Sequence, residues 1–231
     1  MRATLSLVPA VLTFAASGLA ASVCTTGTLA SYIALGSSGC TVGTNTFSDF
    51  QILKGSAFAS AIPAAEVGLT PLGASNDPGL IVGISAQAAA GTVLELIFTY
   101  RVTGNLYTGS SNMLTDSSEA GDGAVSNIQN YCLDGAFGPD GVSGCTGRNG
   151  NLLTLDSVQN TDSRTFGPGT PLSITDDFTI DGGLAGSASA GSITDRFSAI
   201  PEPFNLLLAF IGLLFVAIVR LWLVSSSSFR R

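Results

Sequence analysis

The sequence predicts an all-β fold, an antiparallel β-sandwich of jelly-roll-like kind, for the middle of the chain. Three observations carry this. The 231 residues include 28 glycines but only 11% charged residues, too few Glu, Lys and Arg to cover exposed helix faces. Several stretches alternate apolar and polar residues at the period of a half-buried strand. Clusters of Gly, Pro, Asn and Asp separate those stretches at short intervals.

At the N-terminus, Arg2 precedes a short apolar run from Leu5 to Phe14, followed by Ser17, Gly18, Ala20 and Ala21. This is the order of a secretory signal, with cleavage before or after Ala21. The run is too short to span a bilayer comfortably. Cys24 follows it, but Val23 stands where a lipidation site needs a small residue. Residues 1–21 are therefore read as a signal peptide and 22–199 as the exported domain.

Within that domain, Leu29 to Leu35 fits either a short strand or a turn of helix. Thr46 to Leu53 and Gly79 to Ala86 are candidate strands. The clearest strand runs from Gly91 to Val102. Leu94, Leu96, Phe98, Tyr100 and Val102 form one apolar face; Glu95 and Arg101 mark the other as partly wetted. Ala124 to Tyr131 follows. Leu152, Thr154, Asp156 and Val158 oppose Leu153, Leu155 and Ser157 less cleanly. From Pro171 to Ile180, Leu172, Ile174, Phe178 and Ile180 point one way, with Asp176 the exception among them. Ser187 to Phe197 completes the set. Turn signals lie at Asn76-Asp77-Pro78-Gly79, Thr103-Gly104-Asn105, Gly138-Pro139-Asp140-Gly141, Arg148-Asn149-Gly150-Asn151, Gly167-Pro168-Gly169 and Asp181-Gly182-Gly183.

Cys24, Cys40, Cys132 and Cys145 all fall in the exported part, where disulfides persist. Four cysteines allow three pairings. Pairing neighbours, Cys24 with Cys40 and Cys132 with Cys145, is favoured because each bond would close a short Gly/Ser/Thr-rich loop. Each such loop contributes about 3 kcal/mol in the chain-entropy account.

The C-terminal segment is almost wholly apolar from Phe204 to Val224. At about 1.5 Å per residue it spans roughly the 30 Å hydrocarbon core as a helix. Arg220 sits near its end, where its side chain can snorkel, and Trp222 suits the interfacial belt. Arg230 and Arg231 keep this end cytoplasmic, which agrees with the signal peptide in placing the domain outside. Just ahead stands Pro201-Glu202-Pro203. The prolines hold Glu202 extended, and Glu202 complements the positive end of the helix that Pro203 starts.

Pro201-Glu202-Pro203, an apolar helix and terminal arginines together resemble the PEP-CTERM sorting signal of bacterial exported proteins, over residues 200–231. The resemblance implies processing by an exosortase, a membrane-embedded cysteine transpeptidase. Pro201, Glu202 and Pro203 would be its recognition residues, and Arg220, Arg230 and Arg231 would stop translocation. It also implies an inner-membrane intermediate and a final place at the cell surface or in the extracellular, biofilm-type matrix. Such tails carry their arginines directly after the helix. Here Leu221 to Val224 and Ser225 to Ser228 intervene after Arg220, so the span either runs long or stops there.

Chemistry is sparse. There is no histidine in the sequence, so Ser-His-Asp, Cys-His and mixed Cys/His zinc arrangements are excluded. The net charge of -7 disfavours nucleic acid. Asp116, Glu119 and Asp122, and Asp176, Asp177 and Asp181, are hard-oxygen clusters of a kind that suits Ca²⁺, but without EF-hand or nonapeptide spacing; solvated acidic turns are the plainer reading. Paired carboxylates would suit a glycosidase, with no specific pattern behind them. Tyr32, Tyr100, Tyr107 and Tyr131 would serve as sugar platforms only if they lay outside the core, and their strand positions favour packing. The reading is therefore a non-enzymatic exported surface or matrix protein needing no cofactor or metal. A carbohydrate-binding module acting on extracellular polysaccharide is the alternative, and a carboxylate hydrolase the third.

Overall fold

The computed structural model describes residues 21–74, 76–200 and 211–214. Residues 1–20 of the expected signal, and Pro201, Glu202, Pro203, Arg220, Arg230 and Arg231, lie outside these. Of the expected 204–224 span, residues 211–214 are helical and exposed. Among the described residues no helix is long and apolar enough to cross a membrane.

Residues 22–200 form two sheets in a sandwich-like all-β arrangement. The first runs in the order β1 (Ser22–Val23), β3 (Cys40–Val42), β4 (Asn45–Leu53), β8 (Val93–Thr103), β14 (Leu172–Asp181), β11 (Ala124–Leu133) and β12 (Arg148–Leu155), with β5 (Ser60–Ala61) added beside β8. The second runs β13 (Thr161–Gly169), β9 (Leu106–Thr115), β15 (Ser187–Ile200), β7 (Asp77–Ala89), β6 (Val67–Ala74) and β2 (Gly27–Thr28), with β10 (Ser118–Ala120) beside β15. Pairing is antiparallel except where β1 meets β3 and β5 meets β8.

Leu29 to Leu35 contains a short helix, α1 (Leu29–Ile33), and not a strand. Thr28 and Ser31 cap its start reciprocally, each side chain taking the other's backbone N–H, which satisfies donors a strand would have offered to a neighbour. Its Leu29 and Tyr32 are buried.

The alternation in β8 is realised as read. Leu96, Phe98, Tyr100 and Val102 are buried and Arg101 faces outward, half-buried. Phe47, Phe50, Phe98, Tyr100, Tyr107 and Phe197 are fully buried and meet in offset and edge contacts, such as Phe50–Tyr100 at 5.3 Å and Tyr32–Phe50 at 5.1 Å. Each such side chain contributes about 2–3 kcal/mol through burial. Three of the four tyrosines are thus core residues, and Tyr131 lies half-buried against Phe166 at 5.1 Å.

Some turn signals prove to be strand. Arg148-Asn149-Gly150-Asn151 opens β12, because Gly150 pairs with Tyr131 and a Cβ there would meet the Tyr131 hydroxyl at 2.3 Å. Asp77-Pro78-Gly79 opens β7, where a Cβ on Gly79 would strike the Asp195 carbonyl at 2.1 Å. Gly167-Pro168-Gly169 ends β13, which pairs only with β9 and shifts register between Thr165 and Gly169; an edge strand tolerates a proline. Val158 does not continue the inward face of β12. The strand stops at Leu155, Ser157 turns at a φ of 57°, and Val158 is 77% exposed.

Alternation does not reveal β6, β9 or β13. β6 holds a proline and two glycines. β9 turns the polar Ser110 and Asn112 inward. Much of β13 is exposed.

The disulfides join Cys24 to Cys40 and Cys132 to Cys145, 16 and 13 residues apart. Neighbours are therefore paired. The first fastens the N-terminal strand segment to β3. The second ties residues 134–147 down beside β11.

Candidate functional site

The loop 134–147 lies on the outward face of the first sheet. Besides its disulfide, it is held by Ser173 Oγ donating to the Gly135 carbonyl at 3.0 Å and by Thr175 Oγ1 donating to the Gly141 carbonyl. Thr175 points away from the core yet is completely buried, because the loop covers it. Asp140 stiffens the loop by accepting from the amides of Val142 and Ser143.

Between this loop and strands β4 and β8 lies a cleft of about 380 Å³, within the roughly 300–1,000 Å³ common for small-ligand sites. Asp49 and Gln51 of β4, Thr99 and Arg101 of β8, and Phe137 and Pro139 of the loop line it. The β4 register slips between Ser48 and Gln51. Asp49 stands in that bulge with a left-handed φ of 57°, an unfavourable conformation that Asp tolerates better than most. Bulges of this kind re-aim a side chain, and here the re-aimed group is an acid at the mouth of a cleft.

Arg101 is the other distinctive member. Its Nε is closed off from solvent with no hydrogen-bond partner, and its guanidinium takes part in neither of the two ion pairs found among the described residues. Those ion pairs are Arg148 with Asp134 and Arg196 with Asp77, both on more open surface. With Nε sealed, only the terminal guanidinium nitrogens of this cleft-lining arginine are left to meet a group from outside the chain. Thr99 spends its hydroxyl proton on the Ile174 carbonyl at 2.6 Å. Asp49 accepts from the Ser48 hydroxyl at 3.2 Å through Oδ2 alone. Gln51 is exposed.

A second constellation lies inside the sandwich. Asp176, the exception on the β14 face, is fully buried, and so is Asp195 of β15. Asp195 accepts from Asn112 Nδ2 at 2.6 Å, Gln129 Nε2 at 2.6 Å and the Tyr100 hydroxyl at 2.7 Å. Asp176 Oδ1 accepts from Asn127 Nδ2 at 2.9 Å, while its Oδ2 has no donor. Ser110 donates to Gln129 and Thr154 to Asn112. Burial, and then the nearby Asp195 charge, pushes the Asp176 carboxyl well above the carboxylate range. Burial pushes Asp195 up to about 6, opposed by its donors. Tyr100 is also pushed well up, by burial first and then by the two acids. The two acids form a carboxylate pair that no substrate can reach.

On the outer face, Glu95 and Asp177 are neighbours across β8 and β14. Asp177 is half-buried and its carboxyl is raised by burial and by the Glu95 charge. Glu95 Oε2 is already taken by the Ser56 amide, and Asp177 Oδ1 is sealed without a partner.

The two proposed acidic clusters are not assembled. Asp116 sits in a turn with φ 55°, Glu119 lies exposed on β10, and Asp122 accepts from the amides of Leu184 and Ala185. Asp176 points inward and Asp177 outward, and Asp181 accepts from the Gly183 amide. Among the described residues no group of three or more His, Cys, Asp or Glu side chains is placed to hold a metal ion.

No protein-family model matches the chain, and no curated protein matches it. Among solved structures it is similar to the Glycosylation Associate Protein (Gap123) complex from Streptococcus agalactiae, at 13% identity and a TM-score of 0.27, over 69% of this chain and 27% of that one. It is also similar to the enzymatically active domain of tailspike protein 4 of bacteriophage CBA120, at 11% identity and a TM-score of 0.23, over 67% of this chain and 19% of that one. Likeness of this degree carries no argument about function.

Proposed function

We propose that this chain is a non-enzymatic exported protein of the cell surface or extracellular matrix, sorted through Pro201-Glu202-Pro203 and processed by an exosortase. In this reading residues 1–21 are a signal peptide, 204–224 form a transmembrane helix before processing, and the β domain has a jelly-roll-like topology. The observation that supports export best is the pair of disulfides, which use all four cysteines and suit an oxidising compartment. The non-enzymatic part rests on the acids. Asp176 and Asp195 are sealed in the core, and Glu95 is already engaged by backbone. Replacing Pro201, Glu202 and Pro203 by alanine tests the sorting step in the native host. The variant should accumulate in the membrane fraction as a longer species; a variant processed like the parent would contradict the reading.

A second reading is a carbohydrate-binding module acting on extracellular polysaccharide. The cleft under the 134–147 loop favours it, because it combines planar polar side chains with an aromatic ring and a proline edge. Saturable binding of the host's own polysaccharide by the purified chain tests it, and failure to bind would remove it.

A further inference from the structure

We propose that the cleft between β4, β8 and the 134–147 loop binds a carboxylate-bearing saccharide of the uronic-acid type, with Arg101 on the carboxylate and Asp49 and Gln51 on neighbouring hydroxyls. This rests on the carbohydrate-binding reading and commits it to a site and a ligand class.

The donor and acceptor inventory of the cleft decides the class. Arg101 offers only donors, in a planar fork that matches a carboxylate. It lies half-buried along the cleft and takes part in neither of the ion pairs found among the described residues. An anionic acceptor from outside the chain would complement this charge. Asp49 lines the same cleft with carboxylate oxygens that accept. It therefore needs hydroxyl or amide donors close to the anion. Gln51 can do either. An acidic peptide would bring carboxylates against Asp49 with few donors to offset them. A uronic-acid ring carries both kinds of group, a carboxylate on one carbon and hydroxyls on its neighbours. Phe137 and Pro139 on the loop side supply apolar surface for the ring's C–H face. The loop that carries them is fixed by the Cys132–Cys145 bond and by Ser173 and Thr175, so the cleft is largely pre-formed.

The test is calorimetric titration of the full chain, held in detergent micelles, with trisaccharides of galacturonic acid and of mannuronic acid, and with the neutral galactose trisaccharide. The proposal expects saturable binding of at least one acidic trisaccharide, weakened by salt. Arg101→Gln should weaken it at least about tenfold, the loss expected for a charge-assisted hydrogen bond. Gln51→Ala, on an exposed side chain whose loss leaves the fold intact, should weaken it severalfold. Acidic binding that ignores both substitutions would overturn the site. Binding of the neutral sugar alone would overturn the ligand class and leave the carbohydrate-binding reading standing. No saturable binding of any of the three would overturn the inference and that reading together.

Discussion

Asp176 and Asp195, one from each sheet, share a donor in the core: Gln129 Nε2 lies 2.6 Å from Asp195 Oδ1 and 3.5 Å from Asp176 Oδ1. Burial disfavours the charged form of each, and the two charges repel, so the folded pair holds protons more tightly than free carboxylates do. Asp195 already accepts from Tyr100, Asn112 and Gln129, which favours its ionised form. Asp176 Oδ2 receives no donor. Asp176 is therefore the member raised further, and the pair titrates as a unit.

The sign of the resulting pH dependence follows. Both acids hold protons more tightly folded than unfolded. Between the ordinary carboxylate value and the raised one, the unfolded chain binds fewer protons, so stability falls as pH rises. The pair's contribution is fully present below about pH 4. It declines through about 6 for Asp195 and further as Asp176 gives up its proton. Denaturant melts from pH 4 to 8 should show this decline in the parent and a flatter profile in Asp176→Asn, whose amide stays uncharged throughout. Identical slopes in the two would contradict the coupling of the two acids.

Asp195→Ala should behave quite differently from Asp176→Asn. It strands the Tyr100 hydroxyl and the amides of Asn112 and Gln129 in the core, at a cost of about 3–5 kcal/mol. A stability loss below about 1 kcal/mol would mean that the network is not organised around Asp195.

Removing the Cys132–Cys145 bond by a double Cys→Ser substitution should lower stability by about 3 kcal/mol. It should also raise hydrogen exchange in residues 134–147, while amides near Cys24 and Cys40 keep their protection. Equal loosening of both regions would mean that the loop is not independently tied.

Gly150→Ala tests the close approach of β12 to the Tyr131 side chain. Beside Tyr131, whose ring packs on Phe166, it should cost about 1–3 kcal/mol through overpacking. Thermal melts of the variant decide it.

The parts of the fold legible in sequence are those where one physical signal dominates. β8 alternates because one face is core and the other solvent. The neighbour pairing of cysteines follows from short loops. β9 was hidden because Ser110 and Asn112 face inward, so the inward face does not read as apolar. Asp176 stood out as an acid on an apolar face, which is the mark of a buried polar group. Its partner did not, since Asp195 stands between the polar Thr194 and Arg196 in a candidate strand whose faces do not separate cleanly. The cleft was harder still. Arg101 could be placed on an outer face, but no local pattern announces that a bulge in β4 brings Asp49 to the same cleft, or that a disulfide-bonded loop forms its other wall.

Export and sorting of this chain are tested most directly by the intact mass of the protein from its native host, with and without the host's exosortase. A mature species from about Ala21 or Ser22 to near Pro201, present only with the enzyme, is the expected result. A species that keeps Phe204 to Arg231 in both strains would contradict it and make the chain a plain single-span membrane protein.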